Sequence, residues 1–140
     1  MKELVLFYSY SGHTKQAAQK FGQDNKCDIC EVSDEKRPNK FAAYTAGCFK
    51  AIKGGERKIN PLTVNGKAVK FEDYSVINVF CPVWANNPPA SMNSALKILP
   101  SKTKIKLFMV SRSGKSGKDS LSKRLSDAGF EIIGYEDIKS

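Results

Sequence analysis

The segment from Ser9 to Thr14 holds the residue types best suited to binding an anion. It follows the apolar run Leu4–Phe7 and precedes Gln16–Phe21, whose pattern predicts a helix. A strand therefore leads through a turn rich in hydroxyl groups and glycine onto a helix N-terminus. Such an end presents unpaired backbone N–H groups and the positive end of the helix dipole, which suit a phosphate. Gly12 permits close approach of the backbone to a ligand.

Other kinds of phosphate loop are excluded by the residues present. A nucleotide-triphosphate loop needs a glycine five positions before Gly114-Lys115-Ser116, and Met109 stands there. The segment from 9 to 14 lacks the cysteine that a phosphatase or phosphocarrier would use as a nucleophile. Two interpretations stay open, a loop that binds phosphate without chemistry on it and an ordinary strand-to-helix turn with Ser/Thr capping.

Two further segments follow predicted strands in the same way. The apolar run Val76–Phe80 leads into Pro82-Val83-Trp84-Ala85-Asn86-Asn87-Pro88, and a second apolar run leads into Ser111-Arg112-Ser113-Gly114-Lys115-Ser116-Gly117. With these segments the chain resembles the flavodoxin-like family, in the same order over nearly its whole length. The first loop is similar to the family's Ser/Thr-x-Ser/Thr-Gly-x-Thr phosphate loop. The second is similar to its Pro-Val-Trp-Ala-x-x-Pro flavin-ring loop, and the third lies where the family has a Ser/Gly-rich loop.

The resemblance implies that FMN is the cofactor and that these loops bind it. The phosphate would lie against the first loop, mostly through backbone N–H groups, at Ser9, Tyr10, Ser11, Gly12, His13 and Thr14. The isoalloxazine ring would lie between two loops, at Pro82, Val83, Trp84, Ala85, Asn86 and Asn87 and at Ser111, Arg112, Ser113, Gly114 and Gly117. No catalytic residue and no metal ligand is predicted, because any catalysis would be that of the flavin.

Two of these side chains have a second interpretation. Trp84 would stack on the flavin ring or cover its edge, or it is a core residue. Arg112, with Lys115, would stabilise the anionic, fully reduced flavin by Coulomb attraction, or it faces solvent. The third loop has no acidic residue, and the first interpretation therefore predicts a less negative potential than in acidic relatives.

The cysteines are expected to be reduced thiols, as in a reducing compartment. Cys27 and Cys30 form a C-x-x-C, but the spacing on a predicted strand points them to opposite faces, which is unsuited to a disulfide or a shared metal. The absence of an apolar stretch long enough for a membrane span or a signal peptide indicates the cytoplasm.

The net charge of +9 separates this chain from electron-carrying flavodoxins, which are usually acidic. It favours an acidic redox partner. Nucleic-acid binding is disfavoured, because the lysines are spread along the chain rather than concentrated on one helix.

Alternation of apolar runs and helical patterns over the 140 residues predicts one α/β domain with a doubly wound, five-stranded parallel sheet. Strands are predicted over 3–8, 27–32, 75–80, 105–110 and 130–135, and helices over 13–23, 40–53, 89–99 and 118–128. Residues 56–73 are predicted to be a loop. The resemblance implies the strand order 2-1-3-4-5, with the ligand at the switch point between the first and third strands.

The pattern provides no helix after the fifth strand, where the fold normally has one. One sheet face over the third to fifth strands would then lack cover, and a second copy or a partner protein is expected there.

Three functions follow from the sequence. The first is an FMN-binding electron-transfer protein. The second is an FMN-dependent NAD(P)H:quinone-type oxidoreductase, and the third is a flavin-free interaction module with a basic surface.

Overall fold

A five-stranded parallel sheet forms the centre of the molecule. The computed structural model describes residues 2–10, 12–34, 58–82, 90–111 and 118–139. The sheet contains β1 (Lys2–Tyr8), β2 (Asp28–Val32), β5 (Tyr74–Pro82), β6 (Lys104–Ser111) and β7 (Glu131–Lys139). The helices in these ranges are α1 (His13–Asp24), α2 (Ala90–Ile98) and α3 (Lys118–Asp127). A separate hairpin consists of β3 (Thr63–Val64) and β4 (Lys67–Ala68).

The strand order is β2-β1-β5-β6-β7, and all four pairings are parallel. When the hairpin strands are left out of the count, this is the predicted order 2-1-3-4-5. The central strands are apolar and buried on both faces, as a parallel sheet covered by helices requires. The α/β fold class is therefore confirmed. The helix predicted over 40–53 lies outside the described residues.

Helix α1 covers one face of the sheet. Phe21 of this helix packs against Phe80 and Phe108, with ring centroids 5.4 and 5.1 Å away. The rings of Phe80 and Phe108 stack at 4.3 Å. Val5, Phe7 and Ala18 complete the buried cluster, and burial of each large apolar side chain stabilises the fold by about 1.5–3 kcal/mol.

Helices α2 and α3 cover the opposite face. The buried side chains of α2 and the turn after it are Met92, Ala95, Leu96 and Leu99. Leu125 of α3 is buried, whereas Ala128, which follows the end of the helix at Asp127, is exposed.

The segment predicted as a loop over 56–73 contains the β3–β4 hairpin. Its turn is Asn65-Gly66, with φ of 52° and 80°, the positive values that a two-residue type I′ turn needs and that Asn-Gly adopts readily. Leu62 and Phe71 on either side of the hairpin are buried. The loop prediction was therefore wrong for these residues.

Strand β7 continues to Lys139, four residues past its predicted end at Tyr135, and pairs with β6 as far as Ser111. No helix follows β7 in the described part of the chain. A groove of about 280 Å³ lies on the α1 side of the sheet, lined by Phe21, Lys106, Leu107, Phe108, Gly134, Tyr135 and Glu136. The groove lies over the strands where cover was predicted to be missing.

Every helix in the described ranges is too short or too polar to cross a lipid bilayer.

Candidate functional site

The strands that precede the three predicted loops, β1, β5 and β6, end at the same edge of the sheet. Phe7 of β1 pairs with Phe80 of β5, and Pro82 of β5 pairs with Val110 of β6. The carboxyl ends of these three strands therefore lie level with one another. The loop that starts at Ser9 leaves the sheet beside β5, which is the switch point where a doubly wound fold binds its ligand.

Gly12 sets the geometry of the first loop. It has φ of 101° and ψ of −15° and precedes the first residue of α1, His13. Only glycine adopts this left-handed conformation without steric cost. A Cβ added here would meet no atom within 4 Å, and the space beside the helix start is therefore open among the described residues.

The N-terminus of α1 has the properties of an anion site. Among the described residues no side chain caps it, and its first turn has no acidic residue. The first helical bond runs from the N–H of Gln16 to the carbonyl of Gly12 at 3.1 Å. The N–H groups before Gln16 therefore have no acceptor within the helix. The residues fit a phosphate, because these donors and the helix dipole point to the same open space.

The structure changes the role of two predicted phosphate ligands. The N–H of Gly12 donates to Oγ of Ser9 at 3.0 Å, and it is therefore engaged within the loop. Thr14 is only 2 % exposed, and its hydroxyl makes no hydrogen bond to another described residue. The amides of the first helical turn are thus the better phosphate donors, with the Ser9 hydroxyl beside them.

Most residues predicted to contact the flavin ring lie outside the described residues. Pro82 ends β5 and Ser111 ends β6, both half-buried at the same sheet edge. The described residues also hold Ser9, Tyr10, Gly12, His13 and Thr14 of the first loop. The remaining predicted positions lie outside, namely Ser11, Val83, Trp84, Ala85, Asn86, Asn87, Arg112, Ser113, Gly114 and Gly117. The two interpretations of Trp84 and of Arg112 therefore stay as predictions.

A carboxylate that was not predicted from the sequence connects three elements at this edge. Asp34, just after β2, accepts hydrogen bonds from the hydroxyl of Tyr8 at 2.7 Å and from Ser91 of α2. Tyr8 and Ser91 are buried. Asp34 therefore connects the first turn of α2 to the end of β1. Its position at the carboxyl end of β2 was the available signal.

A cleft of about 160 Å³ opens beside the first loop. Its lining combines phenol, hydroxyl and carboxylate groups from the ends of β1 and β2, namely Tyr8, Ser9, Tyr10, Glu31, Val32, Ser33 and Asp34. Glu31 lies 4.0 Å from Lys15 with both side chains well exposed, and this ion pair contributes little to stability. The cleft therefore lies at the carboxyl ends of β1 and β2 and presents polar and apolar surface in similar amounts.

The three cysteines in the described part of the chain are free thiols in different surroundings. Cys27 lies on the α1 side of the sheet and Cys30 on the other side, as the strand spacing predicted. Cys81 is fully enclosed beneath the sheet edge, with its Sγ 3.4 Å from Sδ of Met109. Burial raises the pKa of Cys81 to about 12 and that of Cys30 to about 11, and neither thiol is ionised at neutral pH.

Among the described residues, no cluster of histidine, cysteine and carboxylate side chains could hold a metal ion.

A family model and several solved structures match this chain over nearly its whole length. A model of the Flavodoxin family matches residues 2–137. A flavoprotein of Lactobacillus acidophilus NCFM, solved in complex with FMN, superposes with a TM-score of 0.79 at 23 % identity, over 96 % of this chain and 91 % of that one.

Two further solved structures share the fold. A protein of Bacteroides eggerthii has a TM-score of 0.75 at 17 % identity, over 96 % of this chain and 86 % of that one. The apo form of the Lactobacillus acidophilus flavoprotein, solved by NMR, has a TM-score of 0.66 at 22 % identity, over 97 % and 92 %. No curated protein matches the chain.

Proposed function

Because this chain belongs to the Flavodoxin family, we propose that it binds FMN at the carboxyl edge of its sheet and carries electrons to an acidic redox partner. The observation that supports this most directly is the start of α1, where Gly12 is left-handed and no side chain of the described residues caps the helix. It lies beside β5, at the switch point of the sheet. The Lactobacillus acidophilus flavoprotein of the same fold was solved with FMN.

The chain's own residues would hold the cofactor and leave the redox chemistry to it. FMN, when bound, supplies the reversible uptake and release of electrons. The amides at the start of α1 would bind the phosphate, and the Ser9 hydroxyl would donate to it. Asp34, Tyr8 and Ser91 would keep the ring loop in place from below.

The charge of the molecule supports an acidic partner. The chain has 23 basic and 14 acidic residues, a net charge of +9. A cationic surface attracts an anionic partner over about a Debye length and increases the association rate at low salt. The cytoplasm remains our prediction for the compartment in which this exchange occurs.

Electron transfer from the reduced, FMN-loaded protein tests the proposal. After reduction with dithionite, ferricyanide is added in a stopped-flow instrument, and the flavin absorbance is followed as the ionic strength increases. We expect rapid single-exponential reoxidation whose rate constant falls with added salt, because ferricyanide is an anion and the protein is a cation. Cytochrome c, a cationic acceptor, is the matched control, and its rate constant should rise with salt.

Steady-state assays separate this role from the two alternatives. Rapid NADPH oxidation with a quinone acceptor, dependent on the FMN-loaded protein, would contradict a pure carrier role and indicate the oxidoreductase. A folded protein that fails to bind FMN at all would indicate the flavin-free interaction module.

A further inference from the structure

Arg124 is a cation held between two helices beneath the loop edge of the sheet. It belongs to α3, and its side chain is half-buried. Its Nη2 donates to Oδ1 of Asn93 in α2 at 3.1 Å, and Asn93 is only 8 % exposed. The guanidinium is therefore fixed in position by a buried amide rather than extended into solvent.

The charge of Arg124 has no counter-ion among the described residues. Neither the Lys2–Asp28 nor the Lys15–Glu31 ion pair includes this guanidinium. Its charge reaches the Cys81 thiol, where it lowers the pKa, but burial outweighs it and the thiol stays neutral. Partial burial of a charge without an opposite charge is unfavourable, and an anionic ligand would relieve that cost.

The neighbours of Arg124 flank the predicted ring loop in sequence. Cys81 is the last buried residue of β5 before that loop, and Asn93 lies in the first turn of the helix that follows it. The guanidinium thus hydrogen-bonds to the helix after the loop and acts electrostatically on the strand residue before it. Met109, which contacts Cys81, is near the end of β6, which precedes the third predicted loop.

We propose that Arg124 provides the positive charge that stabilises the anionic, fully reduced FMN. This inference depends on the proposed FMN binding. Two electrons from an external reductant and one proton from solvent convert the neutral oxidised ring into an anion with one negative charge. The charge appears only on reduction, and Arg124 should therefore favour reduced FMN over oxidised FMN. At an effective dielectric constant of about 20, a unit charge acting over about 10 Å changes an equilibrium constant roughly tenfold.

Neutral and charged variants of Arg124 test the proposal. Arg124→Gln keeps hydrogen-bond donors near Asn93 and removes the charge, and Arg124→Met is a second neutral variant should the first fail to fold. Lys123→Gln is the matched control, because it removes one charge from the exposed neighbouring position. For each folded variant, the affinity for oxidised FMN is measured by fluorescence and the two-electron midpoint potential by spectroelectrochemistry.

We expect the neutral variants to bind oxidised FMN almost as wild type does and reduced FMN about tenfold more weakly, which lowers the midpoint potential by about 30 mV. Arg124→Lys should recover most of that shift, and Lys123→Gln should leave the potential unchanged. If the neutral variants bind FMN with an unchanged potential, or Lys123→Gln causes an equal shift, the inference is wrong while the proposed function stands. If the wild-type protein binds no FMN, the proposed function itself is wrong.

Discussion

Gly12 has the conformation on which the proposed phosphate site depends. Its φ of 101° is strained for alanine, yet a Cβ there would meet no atom within 4 Å. Gly66 in the β3–β4 hairpin has the same two properties, with φ of 80°. The two glycines therefore form a matched pair, one at the proposed site and one outside it.

We predict that Gly12→Ala and Gly66→Ala each lower the free energy of unfolding by about 1–2 kcal/mol, because both put a side chain in the left-handed region. Only Gly12→Ala should weaken FMN binding, since relief of the strain turns the amides at the start of α1 away from the phosphate. Urea unfolding and fluorescence titration measure the two effects. Equal FMN affinity in both variants would remove the first loop from the site.

The buried thiol of Cys81 predicts a loss of stability at high pH. Its pKa is raised from 9.0 to about 12 by burial. The folded state therefore keeps a proton that the unfolded state loses between these values. The contribution of this thiol to the free energy of unfolding is fully present below pH 9 and falls as the pH rises towards 12.

We expect Cys81→Ala to be less stable than wild type at about pH 8. At about pH 10.5 the difference in the free energy of unfolding between the two proteins should be smaller by about 2 kcal/mol. Urea unfolding at the two pH values measures this change. The variant lacks the ionisable group but keeps Cys30 and Tyr74, whose pKa values are also raised, and these contribute equally to both proteins. If the difference in the free energy of unfolding between the two proteins is the same at both pH values, Cys81 ionises as readily in the folded state as in the unfolded state.

The residues of the first loop were predictable because they are adjacent in sequence. A strand, a hydroxyl-rich turn, a glycine and a helix indicate the site without any long-range information. Asp34 and Ser91 are separated by 57 positions, and Arg124 and Asn93 by 31. Neither pair follows from local pattern, because each forms only after the sheet has brought distant elements together.

At the scale of elements, Asp34 connects the end of β2 with β1 and α2. Asp34→Ala removes two hydrogen bonds to a carboxylate, from Tyr8 and Ser91, and each such bond contributes about 1.5–3 kcal/mol. We predict a loss of about 3–6 kcal/mol in the free energy of unfolding. Urea denaturation measures it.

Glu31→Ala is the control for Asp34→Ala, because it also removes one carboxylate near the end of β2. Its carboxylate is exposed and 4.0 Å from Lys15, and we expect a loss of about 0–1 kcal/mol. Similar losses in the two variants would mean that the Asp34 hydrogen bonds do not stabilise the packing of α2.

The five long strands and three helices were predictable from hydrophobic periodicity, with shifts of one or two residues at most ends. The two largest errors have physical causes. The β3 and β4 strands have two residues each, which is too few to show an alternation of apolar and polar residues. Asn65-Gly66 was nevertheless a recognisable turn signal. Strand β7 continues through Glu136 and Asp137, where its apolar run has ended, because β6 still offers backbone partners up to Ser111.

At the scale of the whole molecule, the groove on the α1 side of β6 and β7 predicts self-association. Lys106 and Glu136 lie in this groove with opposite charges, and Phe21 and Phe108 provide its apolar surface. A two-fold axis could bring the cation of each copy to the carboxylate of the other. We predict a dimer in sedimentation equilibrium at micromolar concentration, and a shift towards monomer for Glu136→Lys. A wild-type monomer throughout that range would contradict the prediction.

Titration of the folded, flavin-free protein with FMN in a calorimeter shows whether the carboxyl edge of the sheet binds this cofactor. We expect saturable binding of one FMN per chain, with riboflavin much weaker because it lacks the phosphate that the start of α1 would hold. Equal affinity for FMN and riboflavin would remove the phosphate from the site. No heat and no change in flavin absorbance with folded protein would contradict the claim that this edge of the sheet binds FMN.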